Sequence, residues 1–373
     1  MSKKSCFAVS AVFLLFLAFF FVVNLITPDI EFSERENRFL ETRPKFTLAA
    51  LFSGDFISDY ETYATDQFPW RDTWITIKAA SELALGKKEN NGVVLCENDT
   101  LIEPFHAPDA SVIEKNISAV NALQENADVP VYFALIPGKS AVWSGLLPAN
   151  TPNDSQADLI ETAYALSAVQ TVDIYTALVN HAGESIYYRT DHHWTTLGAY
   201  YGYAAICKAL GLEAAPLSAF QPETVSDEFY GTTYSSSGFS WVKPDSIRLY
   251  VEDPGTLTIR NYLDGSPADG VLYDRSYLDK KDKYSVFYGG NTPLLQISTE
   301  NSEGERILIL RDSYADSLTP FLLHDFAQLH IIDLRYYRAS IQSYLKEHEI
   351  DRVLVMYSVD NFSTDNNLFL MSR

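Results

Sequence analysis

Thr190-Asp191-His192-His193-Trp194-Thr195 and Arg311-Asp312-Ser313-Tyr314 hold the residue types from which nucleophilic catalysis is built. A serine hydroxyl is a weak nucleophile until a histidine takes its proton and a carboxylate orients that histidine. Asp191 and His193 are two apart, so an extended segment would turn both to one face. Ser313 follows the apolar run Ile307-Leu308-Ile309-Leu310 and precedes a stretch that reads as a helix. Its hydroxyl is therefore expected at a strand end, near the positive end of a helix dipole. Brought together, the strings would form a Ser-His-Asp centre in the chain order Asp, His, Ser. Such centres are defined by geometry rather than order.

Each of these residues also has a purely structural use. Ser313 can cap a helix, with Asp316 three residues on; His193 can be a core histidine and Asp191 a turn residue. Asp191 and His193 on one face can also chelate a metal, but further ligands are not evident, and on a strand His192 would point away. Gly289-Gly290-Asn291 reads as a tight turn, which can also bring backbone close to a substrate.

The elements that must position the two strings alternate between strand and helix. Residues 48 to 85 read as helical, and Val93-Val94-Leu95 with Leu101-Ile102 as a small hairpin around Glu97-Asn98-Asp99. Residues 111 to 126 and 155 to 169 read as helices, 129 to 136 as a buried strand and Val172-Asp173-Ile174-Tyr175 as another. Helix is expected from 197 to 210, ended by Gly211. Residues 212 to 305 change character, with short alternating runs such as Ile247-Arg248-Leu249-Tyr250-Val251, and read as an irregular β-rich insertion. Alternation then resumes: strand at 307 to 310, helix near 316 to 326, strand at 329 to 332, helix near 339 to 347, strand at 353 to 357. The pattern predicts an α/β fold with a mostly parallel sheet. In such sheets ligands gather beyond the carboxyl ends of the strands. Ser313, Asp333 with Arg335, and Asp360 with Asn361 would all stand there.

Before this body, Ser2-Lys3-Lys4 precedes an apolar run from about Cys6 to Val23, extended by Leu25-Ile26. Roughly 20 apolar residues span a bilayer as a helix. Lysines before the run and acidic residues after it predict a cytoplasmic N-terminus and an exported body. Val22-Val23-Asn24-Leu25-Ile26-Thr27 holds no Ala-x-Ala cleavage site, which favours an uncleaved anchor over a signal peptide. The expected organisation is a stub and transmembrane anchor over 1–27, a linker arm over 28–47, and an α/β domain over 48–373 that contains the insertion at about 212–305. The net charge of −21 excludes a nucleic-acid binder that works by phosphate neutralisation. Of the three cysteines, Cys6 borders the apolar run, and Cys96 and Cys207 are expected as free buried thiols.

Taken together, the strings resemble the DHHW family of Gram-positive bacterial membrane or surface proteins, which is related to the SGNH-hydrolase-like domains of alginate O-acetylation proteins. The resemblance runs through Phe32-Ser33-Glu34-Arg35-Glu36-Asn37-Arg38, Asp66-Gln67-Phe68-Pro69-Trp70-Arg71, Tyr188 to Thr195, Arg311 to Ala315 with Pro320-Phe321-Leu322, and Asp333-Leu334-Arg335-Tyr336-Tyr337. It implies an SGNH-hydrolase-like, flavodoxin-like sheet, with Ser313 acylated, His193 as general base and Asp191 orienting His193. Ordinary SGNH hydrolases place Asp three residues before His near the C-terminus, whereas here the spacing is two and the order is rearranged. Their glycine and asparagine oxyanion blocks have no clear equivalent here, so Tyr314, Arg335, Asn361 and Asn291 are candidates for oxyanion or substrate binding by position. The implied activity is O-acyl transfer, acetyl above all, to a cell-wall or secreted polysaccharide outside the cytoplasm. It needs no metal or cofactor, and the implied partner is a membrane-bound O-acyltransferase. A carbohydrate esterase with the same triad, and a non-catalytic glycan-binding or scaffold protein, are the alternatives.

Overall fold

A computed structural model describes residues 3–251, 255–263, 265–301 and 303–373. The chain forms two compact units: the part up to Asn91 with Gly238–Ser240, and Gly92–Ser237 with Trp241–Arg373.

The second unit is built on an eight-stranded sheet, whose strands are numbered here along the chain. They are β1 (Val131–Ile136), β2 (Gln170–Val172), β3 (Thr258–Asn261), β4 (Ala268–Asp269), β5 (Leu294–Ser298), β6 (Arg306–Arg311), β7 (Gln328–Ile332) and β8 (Arg352–Ser358). Their order across the sheet is β4-β3-β5-β7-β6-β8-β1-β2. Strands β7, β6, β8, β1 and β2 pair in parallel. β5, β3 and β4 extend the sheet antiparallel. The expected α/β class with a mostly parallel sheet is therefore what the chain adopts. The β-rich stretch contributes these three edge strands, and its strands Gln221–Phe229 and Asp245–Val251 pair as a separate antiparallel ribbon.

The strands are apolar because both faces of the sheet are covered. Ala134, Ile309, Ile331 and Met356 point into one core with helix Thr196–Leu210, which contributes Ala199, Tyr203 and Ile206. Phe133, Leu310, Val355 and Tyr357 point into the other, with helices Ala110–Asn126, Gln156–Leu166 and Ile341–Glu347. From β1 the chain goes on to β2 on one side, and from β6 to β7 on the other, with β8 between β1 and β6. The carboxyl ends of β1, β8 and β6 thus flank the point where the winding reverses, where open sheets form ligand crevices.

Two local expectations are corrected. The strand at residues 172 to 175 stops at Val172, because Asp173 Oδ1 accepts the Thr176 N–H at 2.9 Å and caps a helix, Ile174–Asn180. The helix near 316 to 326 is only a 3₁₀ turn, Ser313–Ser317, followed by a four-residue helix, Thr319–Leu322. Pro320 has no N–H to continue a ladder from the preceding turn, so it can only open a new helix. No disulfide joins the three cysteines among the described residues; Cys207 is buried and Cys96 half-buried.

In the first unit, helix Lys3–Ile26 is long and apolar enough to cross a membrane. The motifs of the arm and the helical region are laced to each other. Asp66 takes a fork from Arg38 at 2.9 and 2.6 Å and the Glu41 N–H at 2.8 Å. The Gln67 amide closes on Ile30 N–H and C=O at 2.9 Å each. Glu36 binds Arg71 and Arg38. The ring of Phe20 stacks on Phe68 with centroids 5.3 Å apart.

Candidate functional site

Asp191 and His193 do not stand on a strand. Tyr187 and Trp194 pair as an isolated antiparallel bridge, and residues 189 to 193 form the bent tip between them. Their juxtaposition comes from an Asx turn: Asp191 Oδ1 accepts the His193 backbone N–H at 2.9 Å. The same oxygen accepts His193 Nδ1–H at 2.6 Å. The bend also overturns the expectation that His192 points away, since its ring lies against that of His193 with centroids 3.8 Å apart. His192 Nδ1 bonds Thr232 Oγ1 at 2.6 Å.

Asp191 Oδ2 accepts the Thr232 N–H at 2.8 Å and its hydroxyl at 3.1 Å, so both carboxylate oxygens are fully engaged. Burial alone would raise this carboxyl. The neighbouring His192 and His193, and the two hydrogen bonds that His193 donates, instead hold it well below the usual carboxylate range. Gly231 makes the approach possible, because a Cβ there would stand 2.2 Å from Asp191 Cβ and Oδ2.

The tip is held from beneath. Thr190 gives its N–H and hydroxyl to Asp245 Oδ2 at 2.7 and 2.6 Å, and Arg189 pairs with the same carboxylate at 3.2 Å. Lys139, buried at the carboxyl end of β1, donates to the carbonyls of Leu101 and Arg189 at 2.6 and 3.3 Å. Burial pushes its ammonium down to about 8, against the pull of Asp191, Glu103 and Asp245. Tyr187 donates to the Pro137 carbonyl at 2.6 Å, which ties the hairpin to the end of β1.

Ser313 opens the 3₁₀ turn that follows β6. Its Oγ lies 2.8 Å from His193 Nε2. Because Nδ1–H faces Asp191, Nε2 is left as the acceptor for the serine proton. Asp312 fixes the turn with four accepted bonds: Tyr314 N–H at 3.0 Å, Ser358 N–H at 2.8 Å and its hydroxyl at 2.7 Å, and Asn361 Nδ2–H at 2.8 Å. The two strings are also laced to each other. Trp194 Nε1–H is shared between the Tyr314 carbonyl at 2.9 Å and Ser317 Oγ at 3.0 Å, and the Tyr314 hydroxyl donates to the His192 carbonyl. Helix Thr196–Leu210 presses on this seam through Gly202, where a Cβ would stand 2.8 Å from the Trp194 ring.

The four residues expected near an oxyanion all lie around this turn. The Tyr314 N–H is engaged by Asp312. Asn361 shares that partner through one of its two amide hydrogens. Arg335 is forked onto Asp333 at 3.0 and 2.7 Å. Asn291 Oδ1 accepts from Arg311 at 2.8 Å and from Arg335 at 3.5 Å. Arg311 itself is buried and pairs with Asp316 at 3.1 Å. Burial raises the Asp316 carboxyl to about 7 despite that arginine.

Sequence spacing does not single out Tyr284. Its ring stacks on His193 at 3.8 Å with 9° between planes, and its hydroxyl reaches the Ser313 carbonyl and Ser317 Oγ at 3.1 Å each. Thr232, Gly231 and Asp245 were equally silent, since their roles depend on partners roughly 40 to 55 residues away.

The arrangement holds a hydroxyl, a base and an ionised carboxylate in one hydrogen-bonded line. That line can activate a serine for attack on an ester or thioester. The family model described as DHHW protein matches residues 111–332. A DHHW family protein from Eubacterium siraeum has a similar structure, at 27% identity and a TM-score of 0.66 over 76% of this chain and 95% of that one. Bacillus cereus PatB1 with a sulfonyl adduct is similar at 23% identity and a TM-score of 0.64, over 76% of this chain and 100% of its own. A second PatB1 structure, at 21% identity, gives 0.60 over 74% and 98%. No curated protein sequence matches the chain.

Proposed function

Because this chain belongs to the DHHW family, we propose that it is a membrane-anchored serine O-acyltransferase that moves an acetyl group onto a polysaccharide outside the cytoplasm. The observation that carries this reading is the line from Asp191 through His193 to Ser313, with links of 2.6 and 2.8 Å at the carboxyl end of β6.

Ser313 Oγ attacks the carbonyl carbon of the acyl donor as its proton passes to His193 Nε2. Asp191 stabilises the imidazolium without taking its proton. The oxyanion is met by the Ser313 N–H, since the Tyr314 N–H is engaged by Asp312, and by the second amide hydrogen of Asn361. His193 then protonates the leaving group, which departs and leaves acetyl-Ser313. A sugar hydroxyl next gives its proton to His193 and attacks the ester, and Ser313 is regenerated when the imidazolium returns the proton to Oγ. Arg335, about one-third exposed, and Asn291, which accepts from it at 3.5 Å, are assigned to binding the donor or acceptor.

Helix Lys3–Ile26 is the anchor. At about 1.5 Å per residue its 24 residues reach about 36 Å, enough for a bilayer core. Anchoring suits a partnership with a membrane-bound O-acyltransferase that delivers acyl groups across the membrane of a Gram-positive bacterium.

PatB1 carries a sulfonyl adduct in one of its structures, so a sulfonyl fluoride is the natural probe. The full chain in detergent should acquire one adduct on the Ser313 peptide, lost in Ser313→Ala and strongly slowed in His193→Ala. The wild type should then transfer acetyl from p-nitrophenyl acetate to an oligosaccharide. Labelling that ignores His193→Ala would sink the proposal, and acetate release with no acetylated sugar would make the protein an esterase.

A further inference from the structure

The hairpin that carries Asp191 and His193 at its tip has a second use along its limbs. A cleft of about 590 Å³ is lined by Tyr187 to Arg189 and by Thr195 to Leu197 but includes none of Asp191, His193 and Ser313. That volume is in the range of small-molecule sites. Its chemistry is neither lipid-like nor phosphate-like. Asp245 is engaged by Arg189 and Thr190, and Glu184 by His181 and Tyr201, at 2.7 and 2.8 Å. The remaining charge in the lining is Arg248, which has no acidic partner among the described residues and is exposed. A single arginine without a cluster of backbone N–H groups is a poor phosphate cradle. A lipid chain would bury the polar lining without hydrogen bonds.

What the cleft does offer is a fixed aromatic plane beside exposed polar side chains that no group among the described residues engages. The Trp143 indole is locked by its N–H to the Ala182 carbonyl at 2.9 Å and by an edge contact with Tyr187 at 5.3 Å. It is half-buried and lines the cleft. The side chains of Asn98 and Arg248 have no hydrogen-bond partner among the described residues. A rigid aromatic face presents the C–H side of a pyranose with a stacking surface, and the neighbouring amide and guanidinium match its hydroxyls.

We infer that this cleft is an accessory carbohydrate site, in which a pyranose of a glycan chain stacks on Trp143 and is hydrogen-bonded by Asn98 and Arg248. Its relevance to catalysis rests on the acyl-transfer reading, whereas the binding itself does not. Tyr188 meets Tyr284 edge-on at 6.5 Å, and Tyr284 stacks on His193, so the site backs directly onto the wall of the triad.

The test is calorimetric binding to the full chain in detergent with three probes: tetrasaccharides of N-acetylglucosamine, of glucose and of galacturonic acid. At least one should bind, and Ser313→Ala should bind it equally well. Trp143→Ala should weaken it about tenfold or more, and Asn98→Ala and Arg248→Ala about threefold each. If Trp143→Ala fails to fold by circular dichroism, the exposed double variant of Asn98 and Arg248 carries the decision. No binding of any probe at about 10 mM, or binding unchanged in folded variants, overturns the site. Trp143-dependent binding by a protein whose Ser313 is never labelled would leave the cleft standing and remove the acyltransferase reading. Normal labelling with no glycan binding would do the reverse.

Discussion

Gly231→Ala tests whether the Asp191 carboxylate is held by close backbone approach. A Cβ at residue 231 would lie 2.2 Å from both Asp191 Cβ and Oδ2, where ordinary contact begins near 3.4 Å. Either Asp191 or the Thr232 turn must therefore retreat by about 1 Å. If Asp191 moves, the 2.6 Å bond to His193 Nδ1 stretches beyond hydrogen-bonding range. If the turn moves, the 2.8 Å bond from the Thr232 N–H is lost instead. A misplacement of about 1 Å in a catalytic array costs about a hundredfold in rate. Overpacking should also cost about 1–3 kcal/mol of stability, more than the roughly 0.4–1 kcal/mol gained by restricting the unfolded chain. The assay is the second-order rate of Ser313 labelling by sulfonyl fluoride, beside urea unfolding. Gly145→Ala is the control, since nothing lies within 4 Å of its added methyl. Labelling of folded Gly231→Ala within about threefold of wild type would refute the reasoning, because a strained contact of this size must show in the geometry it supports.

Three further outcomes are expected. Asp191→Asn should label about 10³–10⁴-fold more slowly, because an amide opposite Nδ1 favours the tautomer with Nε2–H facing Ser313; a loss below tenfold would mean that Asp191 does not set the tautomer. Asp312→Ala should destabilise the fold by about 2–4 kcal/mol, since it strands buried Ser358 and Tyr314 N–H groups; a melting temperature equal to wild type would contradict this. Lys139 titrates near 8 in the folded chain against 10.5 when exposed. Between those values the unfolded chain binds more protons, so its contribution to stability rises with pH over that window, on the order of 3 kcal/mol in all. Urea unfolding at pH 8 and pH 10 should show that rise relative to Lys139→Met, and parallel curves for the two proteins would disprove it.

The legible parts of this site are those set by local pattern. Four consecutive apolar residues, Ile307 to Leu310, announce a strand buried on both faces, and a polar Arg-Asp-Ser string after it announces the strand's carboxyl end. Asp191 and His193 were legible as partners, but for the wrong physical reason. Pleating was expected to align them, whereas an Asx turn does so and brings His192 in as well. The 3₁₀ turn after Ser313 was hidden because Pro320 falls where a longer helix would have to run. Tyr284, Thr232, Gly231 and Asp245 carry no local signal at all. Their types are common, and only the closed fold sets them against residues far away in the chain.

That division follows from how the two strings are joined. Each would be a flexible loop end by itself, and the 2.8 Å contact between His193 and Ser313 spans 120 residues of sequence. One hydrogen bond, worth about 1 kcal/mol net, does not hold two loop ends in register. The register is held by bonds that do no chemistry: Trp194 to Tyr314 and Ser317, Tyr314 to the His192 carbonyl, Tyr284 to Ser313 and Ser317, and Asp312 to the end of β8. Trp194 and Tyr314 are the immediate neighbours of His193 and Ser313. Each reactive side chain is thus flanked by an aromatic residue whose polar group binds the opposite string, and the tryptophan after the histidines is as necessary to the geometry as the histidine it follows.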